Sequence, residues 1–154
     1  MIEWPEKSRK LRNYMQLVIN TDGGSRGNPG RAAYGVVYTM NGVSQWESSG
    51  FLGIATNNEA EYQGLLAALE YLPSFLKDTV VENIVIKMDS NLVVQQVNGN
   101  WKIKEPRMLE FVLQARKKMS ELHTPIRIEY VPRAENSEAD RLVNSCLDTI
   151  AHQE

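Results

Sequence analysis

Cysteine is nearly absent from this sequence. The single one, Cys146, excludes an internal disulfide and fits a reducing, cytoplasmic setting. It stands among Leu142, Val143 and Leu147, which suits a packed thiol better than a reactive one. Histidine is almost as scarce, and neither His123 nor His152 has a partner at zinc-site spacing. No apolar run is long enough to span a bilayer, and no apolar signal-type region opens the chain. There is no excess of base: 17 Lys and Arg stand against 19 Asp and Glu, a net charge of -2. That balance argues against a strong, indiscriminate binder of nucleic acid. The glycine-rich stretch that ends at Gly30 is followed by Arg31-Ala32, so the lysine of a phosphate-binding P-loop is missing. A dinucleotide-type GxGxxG is missing there too. No organic cofactor is therefore expected, and the stretch reads as a tight connection with close backbone approach. Repeats, low-complexity tracts and linkers are also lacking.

What is present is one ordinary globular domain. At 154 residues, 42% hydrophobic and 23% charged, the chain can bury a full core. Residues 1–13 mix Lys7, Arg9, Lys10 and Arg12 with Glu3 and Glu6 and read as a flexible N-terminal extension or a basic arm. The domain proper is expected over 14–150, with 151–154 as a tail. Strands are expected over Tyr14–Thr21, Ala32–Met40 and Val43–Leu52, the last two joined by Asn41-Gly42, a strong hairpin signal. Thr56-Asn57-Asn58-Glu59 matches a capping box before a helix with Leu65, Leu66, Leu69 and Leu72 at helical spacing, which Pro73 should end. Then follow a strand over Asn83–Met88, a short helix Asn91–Val97 capped by Ser90, a helix from about Glu105 to His123, a strand Pro125–Val131, and a helix capped by Asn136 or Ser137 and running to about Ile150. The fold class is α/β: a five-stranded mixed sheet, an antiparallel three-stranded meander plus two parallel strands, with helices on both faces.

Four acids stand out within this plan. Asp22 follows the apolar run Leu17-Val18-Ile19, and Asp89 follows Ile84-Val85-Ile86-Lys87-Met88. Each should sit at the C-terminal lip of a parallel strand, where α/β sheets gather their chemistry. Taken alone, Asp22 reads equally well as a group that satisfies turn amides. Neighbouring strands would bring the two carboxylates to about 5 Å, where they cannot both ionise without compensation. Glu61 shares a helical stripe with Leu65 and Leu72, so it points inward and needs a partner. Asp140 lies on the stripe of Val143 and Leu147; alone it would fit a cap with Ser137, and in company with the other three it reads as a ligand. An Asp, Glu, Asp, Asp set at one rim suits Mg²⁺ or Mn²⁺. Two such ions can hold a phosphate between an activated water and a departing oxygen.

The stretches Thr21-Asp22-Gly23-Gly24-Ser25-Arg26-Gly27-Asn28-Pro29-Gly30, Thr56-Asn57-Asn58-Glu59-Ala60-Glu61, Met88-Asp89-Ser90 and Glu135-Asn136 with Ala139-Asp140-Arg141 together resemble type 1 ribonuclease H, over residues 14 to about 148. The resemblance implies a cytosolic endonuclease that cuts the RNA strand of RNA/DNA hybrids, acts as a monomer, and leaves 5′-phosphate and 3′-hydroxyl ends. It implies Asp22, Glu61, Asp89 and Asp140 as catalytic metal ligands. It also implies substrate contacts from Asn28, Asn57 and Asn58, whose amides can read the RNA 2′-hydroxyl but also fit turn and cap chemistry. The chain departs from the family in three places. The loop Val131-Pro132-Arg133-Ala134-Glu135 carries Arg133 where many members have a histidine; arginine can hold phosphate but cannot shuttle protons. The segment Asn98–Pro106 is too short for the family's basic handle. It leaves Trp101, Lys102, Lys104 and Arg107 as a small patch, with Trp101 either stacking on substrate or packing beneath the loop. Residues 1–13 do not resemble a hybrid-binding domain. Two other readings remain: a related metal-dependent DNA nuclease or resolvase, opposed by the Asn57-Asn58 pair, and a non-catalytic hybrid-binding module, opposed by the full set of acids.

Overall fold

A computed structural model describes residues 15–153. The extension 1–13 and Tyr14, the expected first residue of the first strand, lie outside the described residues. The chain runs through β1 (Gln16–Gly27), β2 (Gly30–Met40), β3 (Val43–Ala55), α1 (Asn57–Asp78), β4 (Asn83–Met88), α2 (Asn91–Val97), α3 (Pro106–Ser120), β5 (Ile126–Tyr130), a 3-10 turn (Arg133–Glu135) and α4 (Ser137–His152). The five strands lie in the order β3-β2-β1-β4-β5. β1 to β3 pair antiparallel, and β1, β4 and β5 pair parallel. The sheet is the expected mixed one. Among the described residues no helix is long and apolar enough to cross a membrane.

Period-two alternation along the strands sorts side chains onto two faces. Leu17, Ile19, Val36, Tyr38, Ile84 and Ile86 join the main core, where residues of α1, α2 and α3 pack. Ala33 belongs to a second, smaller cluster with Val143 and Leu147 of α4. Helices thus cover both faces, three on one and α4 on the other. Far from the acids, Tyr38 meets Trp46 edge-on at 4.9 Å and Phe75 at 5.2 Å, and Trp46 stacks on Tyr71 at 4.0 Å. The Tyr38 hydroxyl donates to the Ala68 carbonyl of α1, so the buried phenol is not left unpaired.

Local signals hold where the chain alone decides. Asn41 and Gly42 take φ of 50° and 76° in the β2–β3 turn. At the start of α1, Thr56 Oγ1 accepts from Glu59 N at 3.1 Å while Thr56 N donates to Glu59 Oε1 at 3.3 Å, a complete capping box.

Two expectations are corrected. The glycine-rich stretch after Asp22 is strand, not loop: β1 continues to Gly27, paired with β2 from Asp22↔Gly35 to Gly27↔Gly30. Antiparallel hydrogen bonds from β2 keep the backbone extended after β4 has left, since the parallel pairing ends at Thr21↔Met88. Pro73 does not end α1, which continues to Asp78. The further turns bury Phe75 and bring Leu76 against the core, and that burial offsets the hydrogen bond a helical proline removes. Smaller boundary shifts follow from pairing and caps. β2 begins at Gly30 and β3 reaches Ala55, because those two residues pair. α3 stops at Ser120, and α4 extends to His152 through part of the expected tail.

Candidate active site

Register brings the first two acids together. Thr21 and Met88 are the last paired residues of β1 and β4, and the residues that follow them are Asp22 and Asp89. α1 supplies the third acid because its first turn lies directly on β1. A Cβ on Gly23 would stand 2.1 Å from the Ala60 carbonyl oxygen and 2.5 Å from Glu61 N, so only glycine permits this approach. Gly23 N then donates both to Asp22 Oδ1 at 2.9 Å and to Glu61 Oε1 at 2.7 Å. Asp22, Glu61 and Asp89 each place a carboxylate oxygen within 4.8 Å of the others'.

Asp140 lies further out. It comes from the first turn of α4, which docks on β2 where a Cβ on Gly35 would meet the Ala139 carbonyl at 2.5 Å. It lines the same cleft of about 450 Å³ as the other three acids. It is not a cap for α4: the N-cap is Asn136, and no side-chain capping bond is formed there. Its carboxylate faces Arg133 at 3.5 Å.

Burial favours the neutral forms of Asp22 and Glu61. Burial, above all, raises Asp22 to about 6, the Asp89 charge adds to this, and its bond with Glu61 opposes it. Burial and the shared bond with Asp22 push Glu61 well above the usual carboxylate range. Glu61 Oε2 is buried with no partner, a costly state for a carboxylate oxygen unless a cation completes it. Clustered hard oxygens with one orphaned and buried fit a divalent cation.

Folding raises these pKa values, so the folded state holds protons that the unfolded chain gives up. For Asp22 the stabilisation is complete below about pH 4 and is lost as pH rises through about 6. For Asp22 alone the loss is on the order of 3 kcal/mol. Chelated protein should therefore melt at progressively lower temperature from about pH 4 to about pH 7. An ion held by these oxygens would stabilise the folded state, so saturating Mn²⁺ should reverse the trend near neutrality. Thermal melts across pH with chelator and with Mn²⁺ check this; a flat profile in both would contradict the electrostatics described.

The expected substrate contacts divide. Asn28 Oδ1 accepts from Asn57 N at 3.0 Å, and Asn57 Oδ1 accepts from Ser25 N at 2.9 Å. Their oxygens thus pin the β1–β2 hairpin to the start of α1, while the amide N–H groups remain as donors. Asn58 is exposed and lines both the acid cleft and a smaller adjoining cavity that also carries Lys102 and Lys104. Trp101 is 46% exposed, so it does not pack beneath its loop. Arg107 bonds Glu59 at 2.8 Å and lies over the Phe111 ring, with its side chain still 60% exposed. Sequence reasoning missed three contributors: Gly35, Asn20 and the side chain of Asn136. The signals for the first two were a glycine inside a strand and a polar residue inside an apolar one.

A family model described as reverse transcriptase-like matches residues 20–146. Bifunctional protein Rv2228c of Mycobacterium tuberculosis (strain ATCC 25618 / H37Rv) is 47% identical over 139 residues, covering 89% of this chain and 37% of that protein. The chain therefore spans little more than a third of the first curated relatives it matches. Ribonuclease HI of Halobacterium salinarum is 41% identical over 145 residues, 94% of this chain and 67% of that protein. Among solved structures, LC11-RNase H1 in complex with RNA/DNA hybrid aligns with a TM-score of 0.82 at 40% identity, covering 88% of this chain and 99% of that one.

Proposed function

We propose that this chain, which belongs to the type 1 ribonuclease H family, hydrolyses the RNA strand of RNA/DNA hybrids with divalent metal ions, Mg²⁺ or Mn²⁺. The observation that carries the reading is the meeting of Asp22, Glu61 and Asp89 within 4.8 Å beside an orphaned buried oxygen, in a cleft that Asp140 also lines. These four would hold the ions, two of them when substrate is bound. The ions would supply an activated water and charge stabilisation at the departing oxygen. Water's oxygen bonds to phosphorus as the bond from phosphorus to the 3′ oxygen breaks, leaving 5′-phosphate and 3′-hydroxyl ends.

The chain's own residues bind and orient the hybrid. Asn57 and Asn58 line the cleft with the acids, Asn28 is bonded to Asn57, and their amide donors suit the 2′-hydroxyl, the group that separates RNA from DNA. Arg133 at the cleft and Lys102 at the adjoining cavity offer charge for the flanking backbone, and the exposed Trp101, next to Lys102 in the chain, offers a stacking face. One chain supplies every acid, which supports action as a monomer, and the free thiol of Cys146 supports a cytoplasmic setting.

The test is side-by-side digestion of RNA/DNA, DNA/DNA and RNA/RNA duplexes in Mg²⁺ and in Mn²⁺, with end-group analysis. The RNA strand of the hybrid should be cut and the DNA duplex left whole. Cleavage of DNA/DNA at the hybrid rate would favour the DNA-nuclease reading. Hybrid binding without cleavage in either metal would favour the binding module.

A further inference from the structure

We infer that Asn136 is a positioning residue that fixes the carboxylate of Asp89 for metal binding and locks it to the strand that carries Asp22. The inference rests on the metal-dependent reading above. Asn136 is 1% exposed, an unusual place for an amide, and every polar atom of its side chain is used. Its Nδ2 donates to Asp89 Oδ1 at 2.9 Å and to the Thr21 carbonyl at 3.0 Å, and its Oδ1 accepts from Asn20 Nδ2 at 3.0 Å. A carbonyl and a carboxylate can only accept, so the orientation of the amide is determined.

Asn136 does not spend its side chain on capping, although it is the N-cap of α4. Its carbonyl instead takes the first bond of the helix, from Asp140 N at 3.1 Å. One residue therefore touches the loop end of β4 at Asp89, the residue before Asp22, and the helix turn that presents Asp140. Holding Asp89 Oδ1 restricts the rotation of that carboxylate and leaves its other oxygen for a cation. Outer partners that orient ligating carboxylates typically change metal affinity or activity by about 10- to 100-fold when removed.

The experiment compares wild type, Asn136→Ala and Asn20→Ala. It measures melting temperature, Mn²⁺ affinity by calorimetric titration of substrate-free protein, and kcat and KM on hybrid. In Asn136→Ala, Mn²⁺ affinity and kcat should each fall by about 10- to 100-fold, with KM for the hybrid nearly unchanged. Asn20→Ala keeps the bond to Asp89 but loosens the amide, so it should show a smaller loss in the same direction; if Asn136→Ala does not fold, this variant decides. A purely structural role would lower the melting temperature and leave Mn²⁺ affinity and kcat of the folded fraction at wild-type values, and that result would overturn the inference. Wild type that neither binds Mn²⁺ nor cuts hybrid would instead remove the metal-dependent reading itself, and this inference with it.

Discussion

Asp89→Asn should abolish hybrid cleavage while leaving the fold intact. Asparagine keeps the shape of the side chain and can still bond Asn136, but it removes the charge a divalent ion needs. Asp89 is only half-buried, so the neutral amide can meet water and the fold loses little. Losing one anionic ligand from the trio within 4.8 Å should remove several kcal/mol of transition-state stabilisation, roughly a thousandfold or more in kcat. The melting temperature of chelated protein should hold or rise, because one of the charges that raises Asp22 is gone. Single-turnover assays with excess enzyme, beside thermal melts, check both parts. Cleavage near the wild-type rate would mean that Asp89 is not a ligand.

Gly23→Ala should damage both stability and activity, without touching any acid. The new Cβ would sit 2.1 Å from the Ala60 carbonyl, and backbone cannot swing aside as a side-chain tip can. α1 must lift from β1 and carry Glu61 with it, or β1 must bend away from β2. Overpacking of this kind costs about 1–3 kcal/mol and sometimes more. The shift also stretches the bond from Gly23 N to Glu61 Oε1, now 2.7 Å. A displacement of about 1 Å at a reacting centre can lower the rate by about a hundredfold. Denaturant melts and kcat on hybrid should therefore fall together in this variant, whereas Asp89→Asn separates them. Gly24→Ala is the control, since its Cβ would meet only a Val143 methyl at an ordinary 3.7 Å.

The contrast between those two residues shows what kind of information each stretch carried. Asp22, Glu61 and Asp89 were legible because polarity breaks an apolar pattern: an acid that ends a buried run, or shares a stripe with leucines, must have a partner. The capping box at Thr56 and the hairpin at Asn41-Gly42 were legible because a few neighbouring residues decide them through their own hydrogen bonds and φ preferences. At Gly23 the sequence signals close backbone approach but not strand, since the partner that keeps it extended is Tyr34, which pairs with it across the hairpin. By sequence, Asn136 or Ser137 fits the cap of the last helix, the commonest use of such residues there. Nothing near Asn136 in the chain reveals that its amide reaches Asp89, 47 residues away. Pro73 signals a stop because a proline lacks its N–H, and the apolar surface awaiting Phe75 and Leu76 belongs to other segments.

From the sequence alone came the order of elements, the mixed sheet, the four acids and the family they signal, all set by local pattern and by residue chemistry. Tertiary structure decided how those acids are spaced. It put three in mutual reach and set Asp140 further out beside Arg133, closed the glycine stretch into strand, and recruited Asn20, Gly35 and Asn136. The reason is physical: strand register and helix docking depend on which distant surfaces can approach without a Cβ between them, and no short window of residues contains both sides of that contact.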